Sequence, residues 1–182
     1  MKSRANGAER RGPAALGLCA ALALGAGLMA LPAQAQTVYP PPPAPAPGSC
    51  TGHLNDSCLY AMLQQMGLEP RPLSKGFLVA KKEGKWTNNI QVVISPNGVK
   101  LGLNANLGRV TESEVTGEQW KALLISNGDI DPNNFYYDPQ QGKLYLHRAF
   151  DNRGVTPASL LYDLQSFSDT IISTEALWKF TH

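Results

Sequence analysis

The dipeptide Asn97-Gly98 is the sequence feature that most constrains the fold, because it lies between two runs of alternating residues. Apolar side chains alternate with more polar ones over residues 90–95 before it and over residues 99–104 after it. An Asn-Gly pair suits the tight turn of a hairpin, and a period of two indicates strands with one buried and one wetter face. The sequence therefore predicts an antiparallel hairpin at this point.

Other runs also have the composition of strands. GFLVAKK (76–82) precedes the first hairpin, whose first run opens at Trp86. NNFYYD (133–138) and KLYLHRAF (143–150) flank the segment PQQG (139–142), which is typical of a turn. We therefore predict five strands, the last two of which form a second hairpin.

Three segments carry the signals of helices. Residues 55–66 have apolar side chains at helical spacing. Thr116 followed by Gln119 predicts a capping box, and Thr156 followed by Pro157 is a typical helix start. The inner faces that we predict consist of Trp120, Leu123 and Leu124 in the second helix and of Leu160, Leu164, Phe167 and Ile171 in the third.

The order of these elements predicts the fold class. It reads α-β-β-β-α-β-β-α, with runs of strands separated by helices. Such an order is typical of α+β proteins. We expect a five-stranded, mostly antiparallel sheet with the helices packed on one face.

The stretch DNRGVTP (151–157) combines charged and amide side chains directly after the last predicted strand. It could be a ligand site or the connector between that strand and the last helix. Gly154 supplies backbone freedom, and Thr156 begins the helix. We therefore interpret the stretch as a connector.

The first 35 residues have the parts of a secretory signal peptide: early basic residues, an apolar stretch (14–31) and the motif Ala33-Gln34-Ala35. We expect cleavage after Ala35 and a periplasmic or secreted protein, although an uncleaved segment could be a transmembrane anchor. Cleavage leaves 16 − 4 = 12 basic and 14 − 1 = 13 acidic residues, a net charge of −1. This balance argues against nucleic acid and, once the signal is removed, against a membrane as partner.

A proline-rich segment, residues 36–49, follows the signal and predicts an extended linker. A ligand for a proline-binding domain is the alternative. We place a single domain at residues 50–182. Cys50 and Cys58 are the only cysteines after the predicted cleavage site. In an exported chain they predict a disulfide, with two free thiols as the alternative.

Few patterns in the sequence point to catalysis or to metal binding. DIDPNN (129–134) is similar to the start of a calcium loop, but Asn134 replaces the glycine and Gln140 the glutamate that such a loop requires. A helix end that runs into a turn explains the stretch better, with weak calcium binding as the alternative. The histidines His53 and His147 lie in separate elements. We therefore predict no enzyme, no metal site and no cofactor.

Four residues are candidates for binding a partner: Trp86, Tyr136, Tyr145 and His147. Tyr145 and His147 are two positions apart in one predicted strand and so lie on one face of the sheet. If Tyr136 shares that face, the group forms an aromatic patch of the kind enriched at protein interfaces. Ordinary cross-strand pairing is the alternative.

From residue 54 to residue 180 the chain resembles the type III secretion chaperone-like fold family, with its sensory-transduction-regulator relatives. The resemblance rests on the element order and on two stretches, FYYDPQQGKLYLHRAFDNRGVTP (135–157) and TEALWKF (174–180). It implies a small non-enzymatic domain, commonly a homodimer, whose sheet or helical surface binds an extended partner segment. Secretion chaperones work in the cytoplasm, whereas this chain carries an export signal, so only a protein-binding module is implied.

Two hypotheses for the function follow. The first is an exported, non-catalytic domain that binds a protein or peptide, or forms a homodimer, through its sheet. The second is a small-ligand-binding or hydrolytic protein with a pocket between the sheet and the helices. The second hypothesis predicts a cavity lined by several of Asn104, Asn106, Arg109, Asp131 and Arg153.

Overall fold

A computed structural model of the protein describes residues 37–45 and 50–181. The predicted signal peptide and residues 36 and 46–49 of the predicted linker lie outside this part. The strands are β1 (Arg71–Pro72), β2 (Phe77–Glu83), β3 (Trp86–Ile94), β4 (Lys100–Arg109), β5 (Asn133–Asp138) and β6 (Lys143–Asp151). The helices are α1 (Asp56–Gln65), α2 (Gly117–Asp129), α3 (Pro157–Ser173) and α4 (Glu175–Trp178), with a short 3-10 helix at Glu112–Glu114.

The strands form one antiparallel sheet in the order β1-β2-β3-β4-β6-β5. The mixture of helices and strands and the antiparallel pairing agree with the prediction, and the runs around Asn97-Gly98 form β3 and β4. The exact order of elements differs from the prediction, because β1 and α4 were not expected. The predicted count of five strands was wrong by one. The additional strand, β1, consists only of Arg71 and Pro72 and pairs with β2. Two residues are too few to produce a period-two pattern, so this strand left no signal in the sequence.

One face of the sheet carries the hydrophobic core. A row of cross-strand neighbours on this face consists of Val79, Ile90, Ala105, Leu146 and Phe135, all of them buried. α3 packs against β2, β3 and β4, and α1 packs against α3. Side chains alternate between the two faces of a strand, so the alternation that predicted the strands also assigned these residues to the core.

The predicted inner faces of the helices were correct for α3 and wrong at one position of α2. All four predicted core residues of α3 are buried, and so is Leu123 of α2. Leu124, however, is 71% exposed. Leu123 and Leu124 point about 100° apart on α2, and only the side of the helix that carries Leu123 packs against the core. No helix in the described part of the chain is long and apolar enough to cross a membrane.

Buried polar contacts fix the position of α3 on the sheet. The Asn88 side chain donates to Ser168 Oγ at 2.8 Å, and the Asn133 side chain donates to Thr170 Oγ1 at 2.9 Å. Asn88, Asn133 and Ser168 are buried. Because a buried polar group is costly unless it is hydrogen-bonded, these contacts select one rotation of α3 among those that apolar packing alone would allow.

The stretch at 151–157 is a connector, as its sequence suggested. Asn152 is fully buried and donates to two backbone carbonyls, Leu54 O at 2.8 Å and Gly98 O at 2.9 Å. Thr156 caps α3, because its side chain accepts a hydrogen bond from Ser159 N–H. Asn152 thus ties the end of β6 to the segment before α1 and to the turn between β3 and β4.

The predicted disulfide between Cys50 and Cys58 is confirmed, with Cα atoms 5.5 Å apart. It joins the segment before α1 to the first turn of that helix. The same segment pairs with the connector after β6, since Gly154 N–H donates to Gly52 O at 3.0 Å. The disulfide therefore stabilises a short chain segment that also contacts the connector between β6 and α3.

Reduction of the disulfide is expected to lower the free energy of unfolding by about 2.5 kcal/mol, because the freed loop regains conformational entropy in the unfolded chain. Thermal or denaturant unfolding of the oxidised and the reduced protein measures this difference. The Cys50→Ser/Cys58→Ser variant is the control, since its stability should not respond to reductant. Equal stability of the oxidised and reduced wild type would contradict the prediction.

Candidate functional site

The face of the sheet opposite the core carries a cluster of aromatic and amide side chains. The rings of Tyr136 and Tyr145 stack with centroids 5.0 Å apart and planes inclined by 10°. The imidazole of His147 meets Tyr136 edge-on at 6.0 Å, and its Nδ1 lies 2.7 Å from Asn104 Oδ1. We call the surface formed by Tyr136, Tyr145, His147 and Asn104 the aromatic face.

Strand register explains why these residues meet. Tyr136 pairs directly with Tyr145 across β5 and β6, and His147 pairs with Asn104 across β6 and β4. Residues in register lie on the same face, and their immediate neighbours lie on the other. Phe135 and Leu146, which flank them in sequence, accordingly point into the core.

The titratable groups of the aromatic face are held in their uncharged forms. Burial raises the pKa of Tyr136 and that of Tyr145, so both phenols keep their protons at neutral pH. Burial lowers the pKa of His147 below its usual value of 6.5, which favours the neutral imidazole. This surface therefore offers ring faces and hydrogen-bonding groups without formal charge.

We expect His147 to titrate below pH 6.5, because burial disfavours its charged form. Its pKa is then lower in the folded than in the unfolded protein. The folded state is most stable above about pH 6.5 and loses this contribution as the pH falls through the folded-state pKa. An NMR titration of the imidazole protons gives the midpoint, and a His147→Gln variant should lack this part of the pH dependence. A midpoint at or above 6.5 would contradict the prediction.

Trp86, the fourth predicted partner-binding residue, lies on the opposite face of the sheet. It lies an even number of residues from Ile90 and Val92 in β3 and therefore on the same face as these two residues, which point into the core. It lines a cavity of about 190 Å³ together with Trp178, and the ammonium of Lys85 lies 5.5 Å from the centre of its ring. The structure therefore brings together three of the four predicted residues and separates Trp86 from them.

The residues predicted to line a pocket between sheet and helices do not converge. Asn104 and Asn106 lie on the face of β4 that is opposite the helices. Arg109 ends β4, whereas Arg153 follows the end of β6 that pairs with the beginning of β4. The ten residues of β4 separate these ends by about 30 Å. Asp131 is exposed in the loop between α2 and β5, so no single cavity holds these groups.

The stretch at 129–134 forms the end of α2 and the beginning of β5. Asn133, at the fifth position of the calcium-loop pattern, is buried and bonded to Thr170. Its side chain therefore contributes to packing of α3 and is turned away from a cation in the loop. Among residues 37–45 and 50–181, no group of three or more His, Cys, Asp or Glu side chains is placed to hold a metal ion.

An apolar groove between α2 and β5 was missed in the sequence. It has a volume of about 280 Å³ and is lined mainly by Trp120, Leu123, Leu124, Phe135, Tyr137 and Leu144. Leu124 and the neighbouring Ile125 are exposed by 71% and 61%. The sequence does contain a signal for this surface. The run ALLI (122–125) places apolar side chains around more of the helix than a single buried face would require.

Comparison with known proteins gives likenesses at the level of structure only. No protein-family model matches the chain, and no curated protein sequence matches it. A chain of the HopA1–SchA chaperone–effector complex is similar, with 10% identity, coverage of 62% of this chain and 86% of that one, and a TM-score of 0.46.

Two further solved structures are similar to the same extent. The Yersinia pestis type III secretion chaperone SycH, in complex with a stable fragment of YscM2, has 17% identity, covers 65% of this chain and 97% of its own, and gives a TM-score of 0.44. YbjN from E. coli has 16% identity, with 65% and 89% coverage and a TM-score of 0.45.

Proposed function

We propose that this protein is an exported, non-catalytic domain that binds a protein partner through its aromatic face. The observation that carries the proposal is the stacked pair of Tyr136 and Tyr145 on the side of the sheet opposite the core. Tyr136 is 40% exposed, so its ring remains accessible to a partner. Aromatic side chains that combine a wide apolar surface with a hydrogen-bonding group are the usual anchors of protein interfaces.

The chemistry of the aromatic face suits binding rather than catalysis. A general acid or base must exchange protons near the working pH, whereas the shifts at Tyr136 and Tyr145 move both pKa values further above neutral. The pKa of His147 is lowered, and its Nδ1 faces the Asn104 amide. An amide neither gives up nor takes a proton, so this pair forms a fixed hydrogen bond that orients the imidazole.

Export is supported by the covalent chemistry of the domain. The Cys50–Cys58 disulfide belongs in an oxidising compartment such as the periplasm or the exterior. The sequence of residues 1–35 has the pattern of a signal peptide, and residues 36–49 would then tether the domain or give it reach. The partner is an extended segment of another envelope protein or a second copy of this chain.

Substitution of Tyr136 and Tyr145 by serine is expected to weaken partner binding or self-association strongly. Each lost anchor costs about 2 kcal/mol, which corresponds to about a thirtyfold rise in Kd. Sedimentation of residues 36–182 measures self-association, and titration with a partner purified from the native envelope measures binding. Tyr162→Ser is the matched control, because Tyr162 is 72% exposed on α3 and is not part of the aromatic face.

Partner binding by Tyr136→Ser and Tyr145→Ser that is as tight as binding by Tyr162→Ser would contradict the proposal. Circular dichroism and thermal unfolding of the three variants separate loss of binding from loss of folding. Tyr136 and Tyr145 lie on the face of the sheet opposite the core, and Tyr162 is exposed on α3. We therefore expect native secondary structure in every variant.

A further inference from the structure

A side chain, rather than a strand, closes the outer edge of β5 at its centre. Asn127 in the last turn of α2 contacts the backbone of Phe135 through both ends of its carboxamide. Phe135 N–H donates to Asn127 Oδ1 at 2.7 Å, and Asn127 Nδ2–H donates to Phe135 O at 3.2 Å. A neighbouring antiparallel strand would make the same two bonds to Phe135. The carboxamide of Asn127 therefore stands where a peptide group of an added strand would lie.

The contact between Asn127 and Phe135 matters because β5 is an edge strand. β5 is the last strand of the sheet and pairs on one side with β6. Because alternate residues of an antiparallel strand direct their N–H and C=O groups to opposite sides, Phe135 and Tyr137 both turn these groups outward. An edge of this kind is a template for pairing with another chain unless it is covered.

Asparagine is well suited to this position for a chemical reason. Its carboxamide holds a donor and an acceptor in one plane, as a peptide group does. Aspartate would present only acceptors and would repel the Phe135 carbonyl, and an aliphatic residue would leave both backbone groups unpaired. The orientation of the amide is fixed by its partners, since the Phe135 N–H can only donate and the Phe135 carbonyl can only accept.

The surface beside this edge would favour association once the edge opened. The apolar groove runs between α2 and β5, and Leu124 at its rim is 71% exposed. The neighbouring Ile125 is 61% exposed. A strand that paired with β5 would thus find both backbone partners and apolar contacts in one place, which is the combination that drives strand addition.

We propose that Asn127 is a plug that prevents strand addition at β5, and that its removal lets β5 pair antiparallel with β5 of a second copy of this chain. The second copy is the occupant because an antiparallel edge is self-complementary about a two-fold axis, so that each outward group of one copy meets its counterpart on the other. This interface is formed by the backbone edge of β5, so its test is separate from that of the aromatic face, although Tyr136 also lines the groove.

The test compares Asn127→Ala with the wild type, both in a Tyr145→Ser background that removes association through the aromatic face. In dilute solution, amide hydrogen exchange at Phe135 should be about tenfold faster in Asn127→Ala, because one hydrogen bond is lost. At rising concentration the same variant should form a dimer by sedimentation, and the Phe135 amide should become protected again. Lys121→Gln, an exposed change on the same helix, should do neither.

Either of two outcomes overturns the proposal: Asn127→Ala sediments as its parent does at every concentration, or it associates while the Phe135 amide stays unprotected. A measurement on the wild type tests whether Asn127 closes the edge of β5, even if the variant unfolds. In the wild type the Phe135 amide should exchange about tenfold more slowly than the outward Tyr137 amide. Equal exchange at the two positions would show that Asn127 does not close the edge. Loss of binding at the aromatic face would leave all these results unchanged.

Discussion

Replacing Asp163 with asparagine is expected to destabilise the domain by about 3 kcal/mol, because it leaves the guanidinium of Arg148 without its counter-ion in the interior. Arg148 Nη2 lies 2.5 Å from Asp163 Oδ1, and the two side chains are only 11% and 15% exposed. Arg148 extends from the core face of β6 to α3, where Nη1 also reaches Ser166 Oγ at 3.4 Å. Chemical denaturation of the wild type and the variant gives the difference in free energy of unfolding.

The matched control is Asp169→Asn on the same helix. Asp169 is exposed and accepts a hydrogen bond from Gln165, so its loss should cost less than about 1 kcal/mol. The double variant Arg148→Met/Asp163→Leu should recover most of the lost stability, because a buried ion pair is often replaceable by apolar residues of similar size. A cost at Asp163 no larger than that at Asp169 would contradict the prediction.

Replacing Asn152 with alanine is expected to lower the free energy of unfolding by about 2–4 kcal/mol. The variant loses the two hydrogen bonds to Leu54 O and Gly98 O, and each buried carbonyl left without a donor costs about 1–3 kcal/mol. The segment carrying the disulfide should then be held less firmly against the turn between β3 and β4. Denaturant unfolding measures the loss, and hydrogen exchange in residues 97–99 locates it.

Arg153→Ala is the control for Asn152, because Arg153 is exposed in the same connector. We expect it to change the stability by less than about 0.5 kcal/mol. If the stretch at 151–157 were a ligand site instead of a connector, Arg153→Ala would reduce binding of the native ligand while Asn152→Ala left the stability unchanged. That pair of results would overturn the structural interpretation of the connector.

The sequence pattern predicted part of the aromatic face. Tyr145 and His147 share a face because they are two residues apart in one strand, and Tyr136 joins them because β5 and β6 form a hairpin whose register fixes the pairing. Trp86, the other predicted partner-binding residue, lies on the core face of the sheet. Trp86 and Ile90 are four residues apart in β3, so the sequence shows that they share a face of that strand. Which face of β6 lies on the same side of the sheet depends on how the two hairpins combine in one sheet.

The plug at the edge of β5 could not be predicted, although Asn127 and Phe135 are only eight residues apart in the sequence. Their contact depends on the angle at which α2 returns along β5, and no residue pattern encodes that angle. The exposed position of Leu124 has the same origin. A wide apolar stripe on a helix indicates that a second surface exists, but only the packing of the helix shows which residues form it.

The sequence by itself determined much of the local structure of this protein: the five longer strands with their two faces, and the capped starts of α2 and α3. These features follow from periods of 2 and 3.6 residues and from short-range hydrogen bonds, which neighbouring residues specify.

The tertiary structure alone decided that β4 pairs with β6, which brings Asn104 beside His147. It also decided that Asn152 bonds to Leu54, 98 residues away, and that Arg148 meets Asp163. Such contacts join residues that are distant in the chain and are selected by the free energy of burying the whole core. Because many arrangements satisfy the same local patterns, the choice among them is made only when the complete chain packs.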